Sequence, residues 1–453
     1  MRIVQVSCSF LPNKIGGTEI YVYNLSKEML SIGHKIYIVY IDSFFKKNAP
    51  LVITEEYVFE EIPVFVIKKN IYGQRTKDLY TCFSSKIYFL FKDYLKRIKP
   101  DIVHFHHLSS TDILSMMKAT KELSIPLVLT YHTPQMSCGN AYMLYLKKLP
   151  CDGHLDYKKC LICILVSYGF PYVMVYLWAN IPVFFSKGLS RIVSFFNLKG
   201  KLFTGLQLPY LNRERIERTK EALKLFDYFV VLCNWSLELL LKNGVSREKI
   251  TLSRQGIERV ILTTKKQKDD TLKLVYIGRI HHTKGIDILI RAFRQIPKDY
   301  RIKLYIYGEL QDSSEEKYLK RLRKLASDAK RIEFKRKIDY KERFNILSQF
   351  DLLIIPSRWL ETGPLVLLEA WSVGTPVIAS QRGGLSELIR EEKGGILYEP
   401  ENFMQLRDII IRIYKNPPLL ERLKRTVPEF RTTKDVLNDM LNLYNKLLCQ
   451  KKK

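Results

Sequence analysis

Short apolar runs, each followed by a turn and a stretch of helical character, recur along this chain in two series. The first lies at 2–8, 35–41, 102–105, 127–131, 228–232 and 249–252. The second lies at 272–278, 303–307, 332–335, 352–356 and 376–379. A run such as Asp351-Leu-Leu-Ile-Ile-Pro356 is apolar on successive residues, as a strand buried on both faces must be. Strands of that kind alternating with helices build a doubly wound parallel sheet. At 453 residues the chain is too long for one ordinary core. The reading is therefore α/β with two Rossmann-like domains and a cleft between them. The first domain spans 1–255, with its alternation interrupted by an insertion at about 136–215. A polar stretch at 256–271, rich in Lys and Asp and without apolar period, reads as a linker. The second domain spans 272–430. Residues 431–453 read as a helix that packs back towards the first domain and ends in a basic tail.

Charge narrows the partners. The formal net charge of +28 implies an anionic one: nucleic acid, a membrane surface or a phosphorylated substrate. No nucleic-acid motif is visible, and the aromatic residues sit in apolar runs rather than among the positive charges, so nucleic acid is not expected. Met1-Arg-Ile-Val-Gln-Val enters a strand directly, with no secretory h-region, and a cytoplasmic location is the default. In that compartment the eight cysteines favour thiols or metal ligands over disulfides.

Chemistry concentrates where strands of the second series end. Glu361-Thr-Gly-Pro-Leu-Val-Leu-Leu-Glu369 follows a strand and runs into an apolar helix, so two carboxylates flank a strand-to-helix turn. Gly363 and Pro364 suit a tight turn and a first helical residue. The free N–H groups of the helix can hold an anion. Gly278-Arg-Ile-His-His-Thr-Lys-Gly285 follows an earlier strand. A glycine there lets a ligand approach the backbone, Arg279 can bind phosphate oxygens in a fork, and Lys284 adds a compact charge. Gly383-Gly384-Leu-Ser-Glu387 offers another close approach beside a carboxylate. A ligand carrying both phosphate and hydroxyl groups, such as a nucleotide sugar, fits. The plainer reading makes Glu369 a buried structural carboxylate and Lys284 a solvated residue at a helix start.

These residues carry a resemblance. Gly278–Gly285, the strand into Pro356-Ser357, the pair Glu361 and Glu369, Gly374-Thr-Pro-Val-Ile378 and Gly383-Gly384 make the second domain resemble the family 4 retaining glycosyltransferases of GT-B fold. The resemblance implies that Arg279 and Lys284 hold a donor diphosphate. It implies that Glu361 meets sugar hydroxyls, Glu369 the ribose, and the amides near Thr362, Gly363, Pro364 and Leu365 phosphate or sugar. Retention of anomeric configuration and independence from a catalytic divalent metal or other cofactor come with it.

In the first domain, Gly16-Gly17-Thr18-Glu19 occupies the first strand-to-helix turn. Two glycines let backbone amides approach a ligand, and Thr18 can cap the helix. By itself this is an ordinary tight loop; the resemblance implies that it faces the cleft. His104, His106 and His107 end one strand and His132 ends the next. Their spacing is loose for a metal site, and no nearby carboxylate completes a set. The resemblance points to His132 as a residue beside the transferred sugar.

The insertion carries Cys138, Cys151, Cys160 and Cys163, enough thiolates for a tetrahedral structural zinc. The spacing of the first two is not that of a zinc ribbon or finger. Free buried thiols or a redox-sensitive pair are the other readings. The block looks like the insertion of a bacterial subgroup of these glycosyltransferases, with Trp235, Arg254-Gln-Gly256 and Arg431-Thr432 in keeping. From Cys160 to Ser186 there is no charged residue, but Gly169, Pro171, Asn180 and Pro182 divide the run into pieces short for a membrane span. With the basic residues between 187 and 224, such as Lys187, Arg191 and Lys199, the segment fits an interfacial attachment to anionic lipid on the inner face of the cell membrane. Core helices and a true span are the alternatives. The expected activity is transfer of a sugar from a nucleoside-diphosphate sugar to a saccharide or lipid-linked acceptor in polysaccharide or glycan assembly. The rival classes are a nucleic-acid-binding protein and an inactive scaffold that only binds a nucleotide sugar.

Overall fold

The computed structural model describes residues 1–451 apart from 14–15, 73–82, 107–111, 135–136, 141, 147, 197, 199, 260–261, 263–269, 311–312 and 328. His107, Lys199, much of the 256–271 linker and the last two lysines therefore lie outside the described residues. The chain divides into two compact units, Met1–Ser253 with Leu437–Lys453, and Arg254–Val436.

The first unit is built on β1 (Arg2–Ser7), β2 (Lys35–Phe44), β3 (Val52–Phe59), β4 (Ile62–Asn70), β5 (Ile102–Phe105), β6 (Leu127–Tyr131), the short pair β7 (Leu144–Tyr145) and β8 (Leu149–Pro150), β9 (Tyr228–Val231) and β10 (Ile250–Leu252). Its main sheet runs β10-β9-β6-β5-β1-β2-β4-β3. All its neighbours are parallel except β3, which returns antiparallel to β4. Ile3 aligns with Ile36 on one side and Ile102 on the other, so β1 is central and buried on both faces. The helix Thr433–Lys451 adds its last part to this unit. Met440 and Tyr444 are fully buried there, and Ser253 Oγ donates to Asp439 at 2.6 Å.

Between β6 and β9 the chain leaves the sheet. The β7–β8 hairpin is followed by helices Tyr157–Ser167, Tyr172–Ala179, Val183–Phe195 and Lys201–Leu225. Pro171 and Pro182 stand at the N-caps of the second and third, where a proline ends one helix and starts the next. The first, second and fourth of these helices share a small core of Leu161, Leu165, Val175, Trp178 and Leu208. A Cβ added at Gly205 would lie 2.1 Å from the Trp178 ring, so only glycine admits that contact. Among the described residues no helix is long and apolar enough to cross a membrane.

The second unit contains β11 (Leu272–Arg279), β12 (Ile302–Glu309), β13 (Ile332–Lys335), β14 (Leu352–Ile355), β15 (Val377–Ser380) and β16 (Gly395–Tyr398). They form one parallel sheet in the order β13-β12-β11-β14-β15-β16. Helices Ile286–Arg294 and Phe403–Lys415 turn Ile290, Phe293, Ile410 and Ile413 into its core. Both units are thus Rossmann-like, and the α/β, GT-B reading of the sequence holds.

Candidate active site

In the second unit, the C-terminal ends of β11 and β14 are neighbours because those two strands pair. That adjacency brings together residues far apart in sequence. Lys284, in the turn after β11, places Nζ 2.7 Å from Glu361 Oε1, beyond β14. Ser357 Oγ donates to the same carboxylate oxygen at 2.6 Å, and the Lys284 ammonium also lies over the Trp359 ring. Glu361 is buried and Lys284 largely so, which strengthens their attraction over that of a surface pair.

Glycines permit the approach. Gly285 has φ of +68°, and an added Cβ would sit 1.9 Å from the Pro356 carbonyl. Gly384 donates its N–H to Glu361 O at 2.6 Å, and a Cβ there would press on the 361–363 turn at 3.0 Å. The helix Leu365–Ser372 begins without a side-chain cap. Its N-cap is Pro364, one position before the first helical residue expected for it, because ψ of 128° keeps that proline extended. The uncapped N-terminus leaves backbone donors for an anion.

Glu369 lies in that helix with no exposed surface, and Arg343 Nη1 reaches its carboxylate oxygens at 3.1 and 3.4 Å. Burial pushes its carboxyl above the usual range, while the Arg343 charge pulls the other way. Arg279 Nε is 3.2 Å from the buried Glu315 carboxylate, which opens the helix Ser313–Ala326. Arg358 spans Asp287 with two bonds of 2.7 and 2.8 Å and donates to His282 O, clamping the loop after β14 to the loop after β11. Burial would raise the Asp287 carboxyl, but bonds from Arg358 and Tyr318 hold it below its ordinary value. Arg254 pairs with Glu387 at 2.9 Å. The sequence reading named neither Arg343, Glu315 nor Arg358; no local motif marks them.

In the first unit Gly16 is the N-cap of the helix Gly17–Ser31. Thr18 is already inside that helix, so it does not cap it as expected. Glu19 instead folds back, accepting from Ser9 Oγ at 2.5 Å and from Cys8 Sγ at 2.8 Å. A Cβ on Gly16 would lie 2.6 Å from the Glu19 carboxylate, which accounts for a glycine in this loop. Gly17 is exposed at the helix start.

His132 is buried just past β6, edge-on to Tyr21 at 4.7 Å between ring centroids. Its Nε2 lies 3.2 Å from His106 Nδ1, and His106 Nε2 lies 2.6 Å from Gln5 Oε1. Gln5 donates through Nε2 to Ser26 Oγ, so its oxygen accepts from His106. A neutral His106 then accepts on Nδ1 from His132 Nε2–H, which leaves the lone pair of His132 on Nδ1. His104 bonds Tyr444 OH and Thr130 Oγ1 at 2.6 and 2.8 Å, and burial lowers its pKa to about 3. Its two nitrogens are thus engaged by neutral groups. Cys138, Cys151, Cys160 and Cys163 line one cavity in the insertion. Among the described residues, no three His, Cys, Asp or Glu side chains stand close enough to hold an ion.

Comparison with known proteins agrees with this architecture. Residues 15–155 match the family model for Glycosyltransferase Family 4, and residues 261–430 match that for Glycosyl transferases group 1. A D-inositol 3-phosphate glycosyltransferase of Pseudarthrobacter chlorophenolicus is 30% identical over 195 residues, 40% of this chain and 45% of the relative. The chain thus aligns with less than half the length of that curated relative. Among solved structures, sucrose-phosphate synthase of Thermosynechococcus elongatus superposes with a TM-score of 0.65 at 19% identity, covering 99% of each chain. The Anabaena protein HepE, solved with UDP and glucose, gives 0.62 at 15% identity, covering 98% of this chain and 100% of that one. Matched by glycosyltransferase models in both of its units and folded as they are, the chain belongs to the family 4 type of glycosyltransferases with GT-B fold.

Proposed function

We propose that the protein transfers a sugar from a nucleoside-diphosphate sugar to a hydroxyl acceptor, with retention of configuration. The observation that carries this is the meeting of Lys284, Glu361 and Ser357 at paired strand ends, beside an uncapped helix N-terminus. Lys284, Arg279 and the backbone N–H groups of Thr362, Gly363 and Leu365 take the diphosphate (Pro364 has no N–H to give), Glu361 the sugar hydroxyls, and Glu369 the ribose. Departure of the diphosphate builds negative charge on its oxygens, which these groups stabilise. The acceptor oxygen bonds to the anomeric carbon on the face from which the phosphate leaves, and its proton passes to the departing phosphate oxygen. No covalent intermediate on the protein is needed, and no metal is required by this charge arrangement. His132 Nδ1 accepts a hydrogen bond from a hydroxyl.

The acceptor class we assign is a lipid-linked saccharide at an anionic membrane surface. Tyr172, Val173, Tyr176, Phe184, Phe185, Phe195 and Phe196 are all more than half exposed on the insertion helices. Between Asp156 and Glu214 there is no acidic residue, while Lys158, Lys159, Lys187, Arg191, Lys201 and Arg213 are present. Apolar side chains among an excess of positive charge, in which only Lys159 is named here with an acidic partner, Asp152, suit the headgroup region of anionic lipid on the cytoplasmic face.

A thermal-shift panel of nucleotide sugars tests donor binding. A ligand at about 100 times its Kd stabilises the folded protein by about 2.7 kcal/mol. One nucleotide sugar is expected to raise Tm, and incubation with it is expected to release the nucleoside diphosphate. A Tm shift without release even when acceptor lipid is supplied identifies a scaffold; no shift with any donor overturns the reading.

A further inference from the structure

Four thiols from separate segments meet at one place. Cys138 lies in the loop after β6, Cys151 directly after β8, and Cys160 and Cys163 in the helix Tyr157–Ser167. Together with Gly139, Asn140, Leu144, Tyr145 and Lys159 they line one small pocket that is partly open to solvent. None is in a disulfide.

Without an ion the thiols stay protonated, since burial pushes Cys151, Cys160 and Cys163 up and Cys163 Sγ donates to Leu144 O. The surroundings nonetheless hold donors that a metal-bound sulfur would use. Cys163 Sγ faces two donors, the Leu146 N–H at 3.3 Å and Asn140 Nδ2 at 3.5 Å. Donors of this kind orient and tune metal-bound sulfur. Lys159 lines the cavity and also pairs with Asp152. Arg215 Nε lies 3.3 Å from the Cβ position of Gly139, another lining residue. Nε and Nη1 of Arg215 are buried and meet no hydrogen-bond acceptor among the described residues. A guanidinium with two buried, unused donor nitrogens is costly unless negative charge lies near. Four thiolates around one divalent ion carry a net charge of −2 and supply it.

We infer that Cys138, Cys151, Cys160 and Cys163 are the ligand set of one structural zinc ion, which draws the four sulfurs inward from the cavity wall. Zinc binding replaces four S–H bonds by four Zn–S bonds and releases four protons, with no change of oxidation state. The ion ties the β7–β8 hairpin to the first insertion helix. That helix is itself fixed to the helix Lys201–Leu225 by Tyr157 OH to Pro209 O and by Asn212 Nδ2 to Tyr157 O. The metal therefore sets the stance of the apolar helices without taking part in transfer.

The test is metal analysis of the full-length protein, purified without chelator and desalted. One zinc per chain is expected, released when a mercurial titrates the thiols. Exchange with Co²⁺ alone is expected to give thiolate-to-cobalt charge-transfer bands and the visible bands of a tetrahedral site. Cys160→Ser is expected to lose the zinc, Cys449→Ser to keep it, and Asn140→Ala to weaken zinc affinity roughly tenfold. Metal-free protein whose four cysteines are alkylated in the native state overturns the inference. So does a disulfide among the four, or iron with acid-labile sulfide in place of zinc. These readouts concern the unmodified chain first, so a variant that fails to fold does not leave the question open.

Discussion

Glu361 holds two opposed demands. Its carboxylate is buried, which disfavours charge, and is then given an ammonium and a hydroxyl on one oxygen. In this arrangement Lys284 can turn a donor to a phosphate oxygen while Ser357 stays bonded to Glu361, because an ammonium is a compact charge with three donors. Replacing Lys284 with Met keeps the stem and removes the charge. Its expected effect is a fall in kcat of about 10²–10³-fold, the range found when one transition-state donor is lost. Glu361→Gln, which keeps the bond with Ser357, is expected to raise KM for the donor as well. Both are read in steady-state assays with far-ultraviolet circular dichroism as the control for folding; near-normal turnover in both variants overturns the site. The motif residues at 278–285 and 361–369 were legible because a parallel sheet always presents its strand ends together. Arg343, Glu315 and Arg358 were not, since each meets its oppositely charged partner only through the fold. His106 is a related case. It read as one of several histidines on a strand end, and only the geometry shows it between Gln5 and His132.

At the scale of elements, the strands that could be read were those buried on both faces. β14 is apolar throughout, β1, β5, β6, β11 and β15 carry short apolar stretches, and a helix cannot be drawn through such short runs between turns. β3 escaped because it is an edge strand facing water, with Thr54, Glu55 and Glu56 exposed in succession. β4 is its neighbour, and its tail reads Lys68-Lys69-Asn70. β16 is short and begins at a glycine. The insertion was legible as a broken apolar segment, but not as four helices, three of them around a core of their own, because nothing local says which apolar residues face inward. Trp178 faces in while Tyr172 and Tyr176 of the same helix face out. That division makes a prediction. Changing Tyr172, Tyr176, Phe184 and Phe185 together to Ser removes surface apolar groups without touching the helix core. Burying one Phe-sized side chain is worth about 1.5–3 kcal/mol. The fourfold change is therefore expected to weaken sedimentation with anionic liposomes by more than about 100-fold, with Tm unchanged. Binding that persists undiminished excludes these helices as the contact. Strand ends are probed separately by Gly285→Ala. It forces a Cβ into the Pro356 carbonyl at φ of +68° and is expected to cost at least about 1–3 kcal/mol in chemical denaturation.

On the scale of the whole molecule, the last helix leaves the second unit at Val436 and contributes Leu437 onward to the first. Its anchor is Tyr444, buried completely and bonded to the equally buried His104. The first unit's stability is thereby linked to pH through a neutral imidazole. The folded pKa of His104, about 3, lies below the ordinary value of 6.5. Between those values the unfolded chain binds a proton that the folded chain refuses, so stability is lost as pH falls. At pH 7 the penalty is small. At pH 5 the gap of about 1.5 units from the unfolded pKa corresponds to about 2 kcal/mol from this one residue. The Asp287 carboxyl in the second unit is held low instead, so its contribution is present above the ordinary carboxylate pKa and fades only at more acid pH. The stabilities of the two units are therefore expected to diverge on acidification, the first weakening between pH 6.5 and 3. Urea unfolding at pH 7 and pH 5, followed by limited proteolysis with cleavage sites assigned to each unit, reads this directly. In wild type the first-unit transition should move to lower urea at pH 5. In His104→Gln, which cannot take up the proton but can still bond Tyr444, that shift should shrink by about 2 kcal/mol. An identical pH shift in both proteins removes His104 as its cause and leaves the link to Tyr444 without a role in acid sensitivity.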